Sequence, residues 1–184
     1  MIISPKGVAQ FPHLTKPDCK FTDLGSYQVS LVVPESDAKP FIAKIKAEFE
    51  KEVGKGDLKS TPWKREEDDN GDVTGNIIFT FKNTNKQLRD GTIWDRKPAL
   101  VDGKLRPLTN VEPGGGSIMK VATELYFWNM NGRHGVTLQI NAVQVIKLVE
   151  YTPEDETTGF GFDIEEDSDE SPVLSQKGKD KDLF

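Results

Sequence analysis

The sequence contains few of the residues on which catalytic and metal sites depend. Cys19 is the single cysteine, and His13 and His134 are the only two histidines among 184 residues. One thiol excludes an internal disulfide and a thiolate zinc cage, and two histidines would need carboxylates to complete a metal site. No serine stands in a nucleophile elbow, and the glycine run at 114–116 lacks the Lys-Ser/Thr of a P-loop. These gaps predict a binding protein with no catalytic residues, no metal and no cofactor.

Long apolar runs are also missing. No stretch approaches the roughly 18 apolar residues of a membrane span, and the start MIISPKGVAQ lacks the apolar segment of a secretory signal. The chain is therefore expected to be soluble and cytoplasmic, without a membrane partner.

Negative charge is concentrated at the end of the chain. Residues 1–150 carry 21 Lys and Arg against 19 Asp and Glu, net +2, whereas residues 151–184 carry 3 against 11, net -8. Five of the acids in the body lie in the short segment 66–72, so the rest of the body is more basic still. This distribution suits a ligand that is a polyanion better than the overall charge of -6 suggests.

Apolar residues alternate along four segments, which is the pattern of half-buried strands. These segments are 27–33, 76–82, 118–127 and 136–149. In the last one the apolar register changes after Ala142, which predicts a bulge or a bend. Two further short strands are expected around the turn Asp102-Gly103. Residues 129–135 are expected to form a hairpin loop.

One segment has the apolar spacing of a helix. It covers residues 38–53, with Ser36 or Asp37 as the predicted N-cap and Gly54 at its end. The segment that follows, 55–75, is polar and is predicted to be a loop.

Strands separated by turns, with one helix inserted early, predict an all-β fold. The expected architecture is a five-stranded OB-type antiparallel barrel with one inserted α-helix, and it should occupy residues 1–151 as one domain.

From Thr152 the apolar pattern stops. Nine acidic residues and no basic ones lie between Glu154 and Glu170, so residues 152–184 are predicted to be a disordered acidic C-terminal tail. The tail ends in an acid followed by two apolar residues, namely Asp182, Leu183 and Phe184.

Aromatic side chains interleaved with basic ones indicate a surface for a single strand, because every base has a stackable face and every nucleotide a phosphate. The predicted stacking residues are Trp94, Trp128, Tyr126, Trp63 and Phe79. The predicted phosphate contacts are Lys82, Arg89, Arg96, Lys97, Lys104, Arg106, Lys120 and Arg133. Alternation predicts that Phe127 faces the core, between two rings that face away from it. The other interpretation of Tyr126 and Trp128 is that they only cap the barrel.

Other functions stay open at this point. Double-stranded DNA is a poorer match, because the single predicted helix alternates Lys with Glu. The main alternative is an OB-like protein-interaction module of a replication complex that does not bind DNA directly. An RNA-binding barrel and a metal-dependent nuclease are further alternatives, and a homodimer is compatible with the sequence.

The stretch GGGSIMKVATELYFWNMNGRHGVTLQINAVQVIKLVE, residues 114–150, resembles the single-stranded DNA-binding proteins of T7-like bacteriophages. The shared pattern is a glycine-rich turn, a strand ending in aromatics, a glycine-containing hairpin and a strand reading roughly V-x-L-Q-L-x-x-V. Weaker similarity extends over most of residues 10–150.

The resemblance implies an OB barrel and sequence-independent binding of single strands during DNA replication and recombination in the host cytoplasm. It also implies an acidic tail ending in Phe that competes with DNA and contacts replication proteins, namely the phage DNA polymerase and helicase-primase. Trp128 falls close to an aromatic that the family uses for stacking, and Phe184 matches its terminal aromatic. The end SQKGKDKDLF departs from the family pattern, because it contains three lysines.

Overall fold

The computed structural model describes residues 1–20, 22–54 and 56–151. Within these ranges the chain forms eleven strands and one α-helix. The strands are β1 Ile2–Ile3, β2 Gly7–Asp18, β3 Ser26–Pro34, β4 Leu58–Ser60, β5 Trp63–Glu67, β6 Val73–Thr84, β7 Lys86–Gln87, β8 Ile93–Trp94, β9 Ala99–Asp102, β10 Ile118–Met130 and β11 Arg133–Lys147, and the helix is α1 Glu35–Val53. The helix is not long and apolar enough to cross a membrane. The predicted tail, 152–184, lies outside the described residues.

Five strands close into a ring in the order β2, β3, β6, β11, β10 and back to β2. Four of the five joints are antiparallel, as predicted. The fifth joint, between β6 and β11, is parallel and consists of the pair Phe81 and Leu138. Because this joint and the β10–β2 joint are short, the ring is partly open, which is typical of OB folds. The all-β, OB-type prediction with one inserted helix is confirmed.

The inside of the ring is a packed apolar core. Every second side chain of β3, β6, β10 and β11 points inward, and α1 closes one end of the ring. The ring of Phe41 packs edge-on against Phe79 at 5.3 Å, and Phe49 packs against Phe127 at 5.5 Å. Full burial of such side chains contributes about 1.5–3 kcal/mol each. A ligand therefore has access only to the outer faces of the strands and to the loops.

The helix begins earlier than predicted. It starts at Glu35, directly after β3, and Pro34 is its N-cap without any side-chain hydrogen bond. The prediction that Ser36 or Asp37 caps the helix is therefore wrong. These residues lie in the first turn instead, where the Asp37 carboxylate interacts favourably with the helix dipole.

The prediction of a loop over 55–75 is also wrong in part. This segment contains β4 and β5, which pair with the otherwise free edges of β11 and β6. Their side chains are mostly polar, and none is fully buried, so the sequence shows no apolar alternation there. β4 and β5 are strands because their backbones pair with the edges of longer strands. Burial of their own side chains contributes little.

The chain turns at Asp102-Gly103 as predicted, but only one of the two expected flanking strands forms. The backbone N–H groups of Lys104 and Arg106 donate to the Asp102 carboxylate, and Pro107 follows. Pro107 forms only an isolated antiparallel bridge with Val101, because proline has no N–H to donate to a ladder. The ladder of the preceding strand, β9, is its parallel pairing with β11.

The long hairpin of β10 and β11 extends further than predicted. Its turn is the pair Asn131 and Gly132, whose φ angles of 52° and 78° are those of a two-residue type I′ turn. The strands therefore run to Met130 and resume at Arg133. The predicted irregularity in β11 is confirmed, because the register shifts at Asn141, between Ile140 and Ala142.

Candidate nucleic-acid interface

A platform beside β11 consists of Trp94, Asp95 and Arg96. We call it the Trp94–Arg96 platform. The Arg96 guanidinium carbon lies 5.2 Å from the centroid of the Trp94 ring, which is a cation–π contact. Arg96 Nη2 also donates to Gln139 Oε1 at 2.8 Å. The indole is 51% exposed. The platform therefore presents an aromatic ring and a fixed positive charge side by side.

Two buried asparagines hold the backbone of this platform. Asn85 Oδ1 accepts the backbone N–H of Arg96 at 2.9 Å, and Asn85 Nδ2 donates to the Leu24 carbonyl. Asn83 Nδ2 donates to the carbonyls of Arg96 and Ile140, and Asn83 Oδ1 accepts the N–H of Ile140. Both backbone polar groups of Arg96 are thus bound by side chains rooted in or next to β6.

Tyr27 supports the platform from the core. The Tyr27 side chain is buried, and burial raises the pKa of Tyr27 to about 12. Hydrogen bonding to Asp95 and the negative charge of Asp95 act in the same direction. The residue between Trp94 and Arg96 is therefore tied to a buried, neutral phenol.

Tyr126 and Trp128 lie on the side of β10 that points away from the core. They stand opposite Thr137 and Gly135 of β11, respectively. A Cβ atom on Gly135 would overlap the Trp128 ring, so the indole lies directly over this glycine. Tyr126 is 54% exposed. Phe127, between them, packs toward the core as predicted.

Strand register joins these side chains to the platform. Phe81 and Leu138 form the β6–β11 pair and both point inward, so the next residues, Lys82 and Gln139, point outward beside each other. Gln139 binds Arg96 and pairs with Glu124, two residues before Tyr126. We call this continuous surface on β6, β11 and β10, together with the platform, the outer face.

Two predicted stacking residues do not lie on the outer face. The prediction for Phe79 is wrong, because its side chain is 0% exposed and lies in the core against Phe41. Trp63 is half-buried, with its ring centroid 6.2 Å from that of Phe79. Trp63 packs against the apolar core on the β5 side of β6, away from the outer face.

The predicted cations fall into two groups. One group lies on or next to the outer face: Lys82, Arg89, Arg96, Lys97 and Arg133. The other lies toward the opposite end of the β10–β11 hairpin: Lys104, Arg106 and Lys120. Lys120 is eight residues from Trp128 along β10, or about 26 Å at strand spacing. Arg106 pairs with Asp102 at 2.7 Å. The tail residues Asp182, Leu183 and Phe184 lie outside the described residues.

Sequence reasoning missed the side chains that position the platform. Asn83 had a signal, since it continues the inward register of Ile77, Phe79 and Phe81, and a polar residue at such a position needs buried hydrogen-bond partners. Asn85 continues the same register and had the same signal. Tyr27 and Gln139 had none, because their partners in the platform are distant in sequence. In the described part of the chain, no three His, Cys, Asp or Glu side chains are arranged to hold a metal ion.

A partly open OB-type ring with aromatic and cationic side chains on its outer strands is the architecture of proteins that bind single-stranded nucleic acid. The sequence family described as "Enterobacter phage Enc34, ssDNA-binding protein" matches residues 2–171. The chain therefore belongs to this family of phage single-stranded DNA-binding proteins. Comparison with curated protein sequences finds no match.

Solved structures share the fold at low sequence identity. The single-stranded DNA-binding protein gp2.5 of bacteriophage T7 is 22% identical with a TM-score of 0.61, over 92% of this chain and 97% of that chain. The C-terminally truncated protein from bacteriophage Enc34 is 15% identical with a TM-score of 0.59, over 82% and 87%. The Enc34 protein in complex with ssDNA is 14% identical with a TM-score of 0.58, over 80% and 86%.

Proposed function

We propose that the protein binds single-stranded DNA and that most of its binding free energy is independent of the base sequence. It acts in phage DNA replication and recombination in the host cytoplasm. It coats transient single strands and has no catalytic activity. The observation that carries this proposal is the Trp94–Arg96 platform, in which hydrogen bonds fix the Arg96 guanidinium against the Trp94 ring, on the same outer face as the exposed Tyr126 and the partly buried Trp128.

The outer face supports two kinds of contact. Bases stack on Trp94, Tyr126 and Trp128, and each stacked base contributes about 1–3 kcal/mol. Phosphates pair with Arg96, Lys82 and the neighbouring cations. Preorganisation lowers the entropic cost of binding, because Arg96 is already held by Gln139 and by the asparagines.

The C-terminal segment 152–184 extends this function to other proteins. Its net charge of -8 makes it a competitor for the cationic surface that binds DNA. Asp182, Leu183 and Phe184 supply an acidic and apolar end that binds the phage DNA polymerase and helicase-primase. A homodimer would present two such ends.

The direct test is titration of tryptophan fluorescence with poly(dT). Stacking on Trp94 and Trp128 should quench the emission, and the same titration with poly(U) compares DNA with RNA. A protein that binds only other proteins would show no change with either polymer, and this outcome would contradict the proposal.

Two adjacent variants separate binding from folding. Trp128→Ala should weaken poly(dT) binding by about 1–3 kcal/mol with little change in the thermal midpoint. Phe127→Ala is the matched control, because its ring packs on Phe49 and should mainly lower stability. If Trp128→Ala instead lowers stability and leaves poly(dT) binding unchanged, Trp128 has a structural role and does not contact DNA.

A further inference from the structure

A cleft of about 490 Å³ opens immediately beyond the Trp94–Arg96 platform. Its walls are the end of β2 with Thr15 and Lys16, the segment 97–100, and the loop 108–112. Lys97, the residue after Arg96, lies at its edge. The cleft therefore begins one residue after the Trp94–Arg96 platform, which is part of the outer face.

The lining of the cleft combines an apolar floor with a few polar groups. Pro98 and Leu100 are buried, and the backbone N–H of Leu108 donates to the Leu100 carbonyl, which holds the two walls together. The Thr15 hydroxyl is buried and has no hydrogen-bond partner among the described residues. Asn110 projects from the opposite wall with a φ of 59°. An apolar surface with a few polar groups is the composition of a small-ligand site.

The charges at the mouth favour a phosphate next to Lys97. Lys16 is paired with Glu112 at 3.6 Å, so the negative charge of Glu112 offsets that of Lys16. Lys97 is exposed and forms no ion pair within the described residues. Arg96, one residue earlier, is held in place by Gln139. Two successive cations thus lead from the platform into the cleft.

We propose that this cleft receives one nucleobase of the bound single strand, a proposal that rests on the proposed function. The base lies with its flat face on Leu100 and Leu108. Its edge forms hydrogen bonds with the Asn110 amide and with the Thr15 hydroxyl, which reaches it by rotation about χ1. The attached phosphate pairs with Lys97. The volume is within the range of about 300–1,000 Å³ that small-ligand sites occupy.

Such a pocket gives the protein a modest base preference. A stacking surface accepts every base, because each has a π-face, whereas hydrogen bonds to a base edge distinguish one base from another. The cleft should therefore make the affinities for oligo(dT), oligo(dA) and oligo(dC) of equal length unequal, on top of the sequence-independent contribution of the outer face.

The test uses the full chain and two substitutions at Asn110, which is exposed. Asn110→Asp keeps the shape and adds a negative charge, and Asn70→Asp in the β5–β6 turn is the matched control with the same charge change. We expect Asn110→Asp to weaken binding roughly three- to tenfold more than Asn70→Asp.

Two further variants test the base preference. Asn110→Gly removes the amide, and glycine tolerates the positive φ at this position. Asn110→Gly and Thr15→Val should each change the affinity ratio between oligonucleotides by roughly threefold or more, which is the effect of losing about one net hydrogen bond.

The outcomes separate the two proposals. If the Asn110 and Thr15 variants match the control while Trp128→Ala still weakens binding, the cleft is not a base site and the proposed function stands. If Asn110→Asp weakens binding to all three oligonucleotides equally and the ratios never change, only the backbone passes the cleft, and the base pocket is overturned. If the unmodified protein binds no single strand, the proposed function itself fails.

Discussion

Trp128 owes its position to the residue opposite it on β11. Gly135 has no side chain, and the indole covers the space that a Cβ would fill. The glycine is paired within the ladder, and it is not among the glycines with a positive φ. Its role is therefore to admit the ring, and it is not needed for an unusual backbone conformation.

This arrangement predicts the effect of Gly135→Ala. The added methyl group displaces the Trp128 ring from its seat, so binding to poly(dT) should weaken toward the level of Trp128→Ala, by about 1–3 kcal/mol. The measurement is fluorescence titration at constant salt. Gly103→Ala is the control, because a Cβ there meets nothing within 4 Å. If Gly135→Ala binds poly(dT) as tightly as the unmodified protein, the affinity does not depend on the position of the Trp128 indole.

Tyr27 predicts a pH dependence of stability at the alkaline end. The pKa of a tyrosine in an unfolded chain is about 10, whereas the pKa of Tyr27 in the folded protein is about 12. Between these values the unfolded state binds fewer protons, so the free energy of unfolding falls as pH rises. The contribution is fully present below about pH 10 and is lost as pH approaches 12.

Denaturant unfolding at several pH values measures this effect. Tyr27→Phe should show a smaller decline between pH 10 and 12 than the unmodified protein, because the lysines titrate in both proteins and cancel in the comparison. Identical pH profiles would show that the Tyr27 phenol does not retain its proton in the folded state.

At the scale of elements, the β7–β8 hairpin depends on its attachment. It is a separate two-stranded sheet with only two residue pairs, Lys86 with Trp94 and Gln87 with Ile93. An isolated hairpin of this kind is marginally stable in water. The hydrogen bonds of Asn83 and Asn85 at its root are therefore what place Trp94 and Arg96 against β11.

Asn85→Ala tests this attachment. The substitution leaves the Arg96 N–H and the Leu24 carbonyl without their partner, and each buried unpaired group costs about 1–3 kcal/mol. We expect both lower stability and weaker poly(dT) binding, measured well below the thermal midpoint so that the protein remains folded. Asn76→Ala, a change in β6 to an asparagine that is bonded to Glu66, should leave binding unchanged. Equal effects of the two variants on binding would contradict a specific role of Asn85.

At the scale of the whole molecule, charge is divided between the body and the C-terminal segment. Deletion of residues 152–184 removes 11 acidic and 3 basic residues, including the end that we propose binds partner proteins. The shortened chain should bind poly(dT) more tightly, most clearly at low salt, where screening is least. It should also fail to bind the replication proteins.

Deletion of Leu183 and Phe184 alone separates these two effects. Nearly all of the charge remains, so DNA affinity should change less than in the full truncation, while partner binding should still be impaired. Salt titrations of both proteins measure the difference. The same affinity for the full-length and truncated chains at low salt would limit the acidic segment to solubility or partner binding.

The sequence by itself determined the main strands, the helix and the division of charge. Alternation along 118–127 placed Phe127 opposite Tyr126 and Trp128, and the structure agrees, because side chains of a strand alternate whatever surrounds it. The helix followed from its apolar spacing, since a helix buries one face. The OB-type ring followed from the number and order of the strands.

Only the tertiary structure decided which faces are covered and which short segments are strands. Phe79 is buried because α1 closes the ring over it, and its own strand pattern is the same whether that face is core or surface. Strands β4 and β5 exist because β11 and β6 offer free backbone groups to them. The platform depends on Tyr27 and Gln139, which are far from it along the chain, and on Asn83, which is also bonded to the distant Ile140. Contacts of this kind arise from ring closure, and a local pattern contains no information about them.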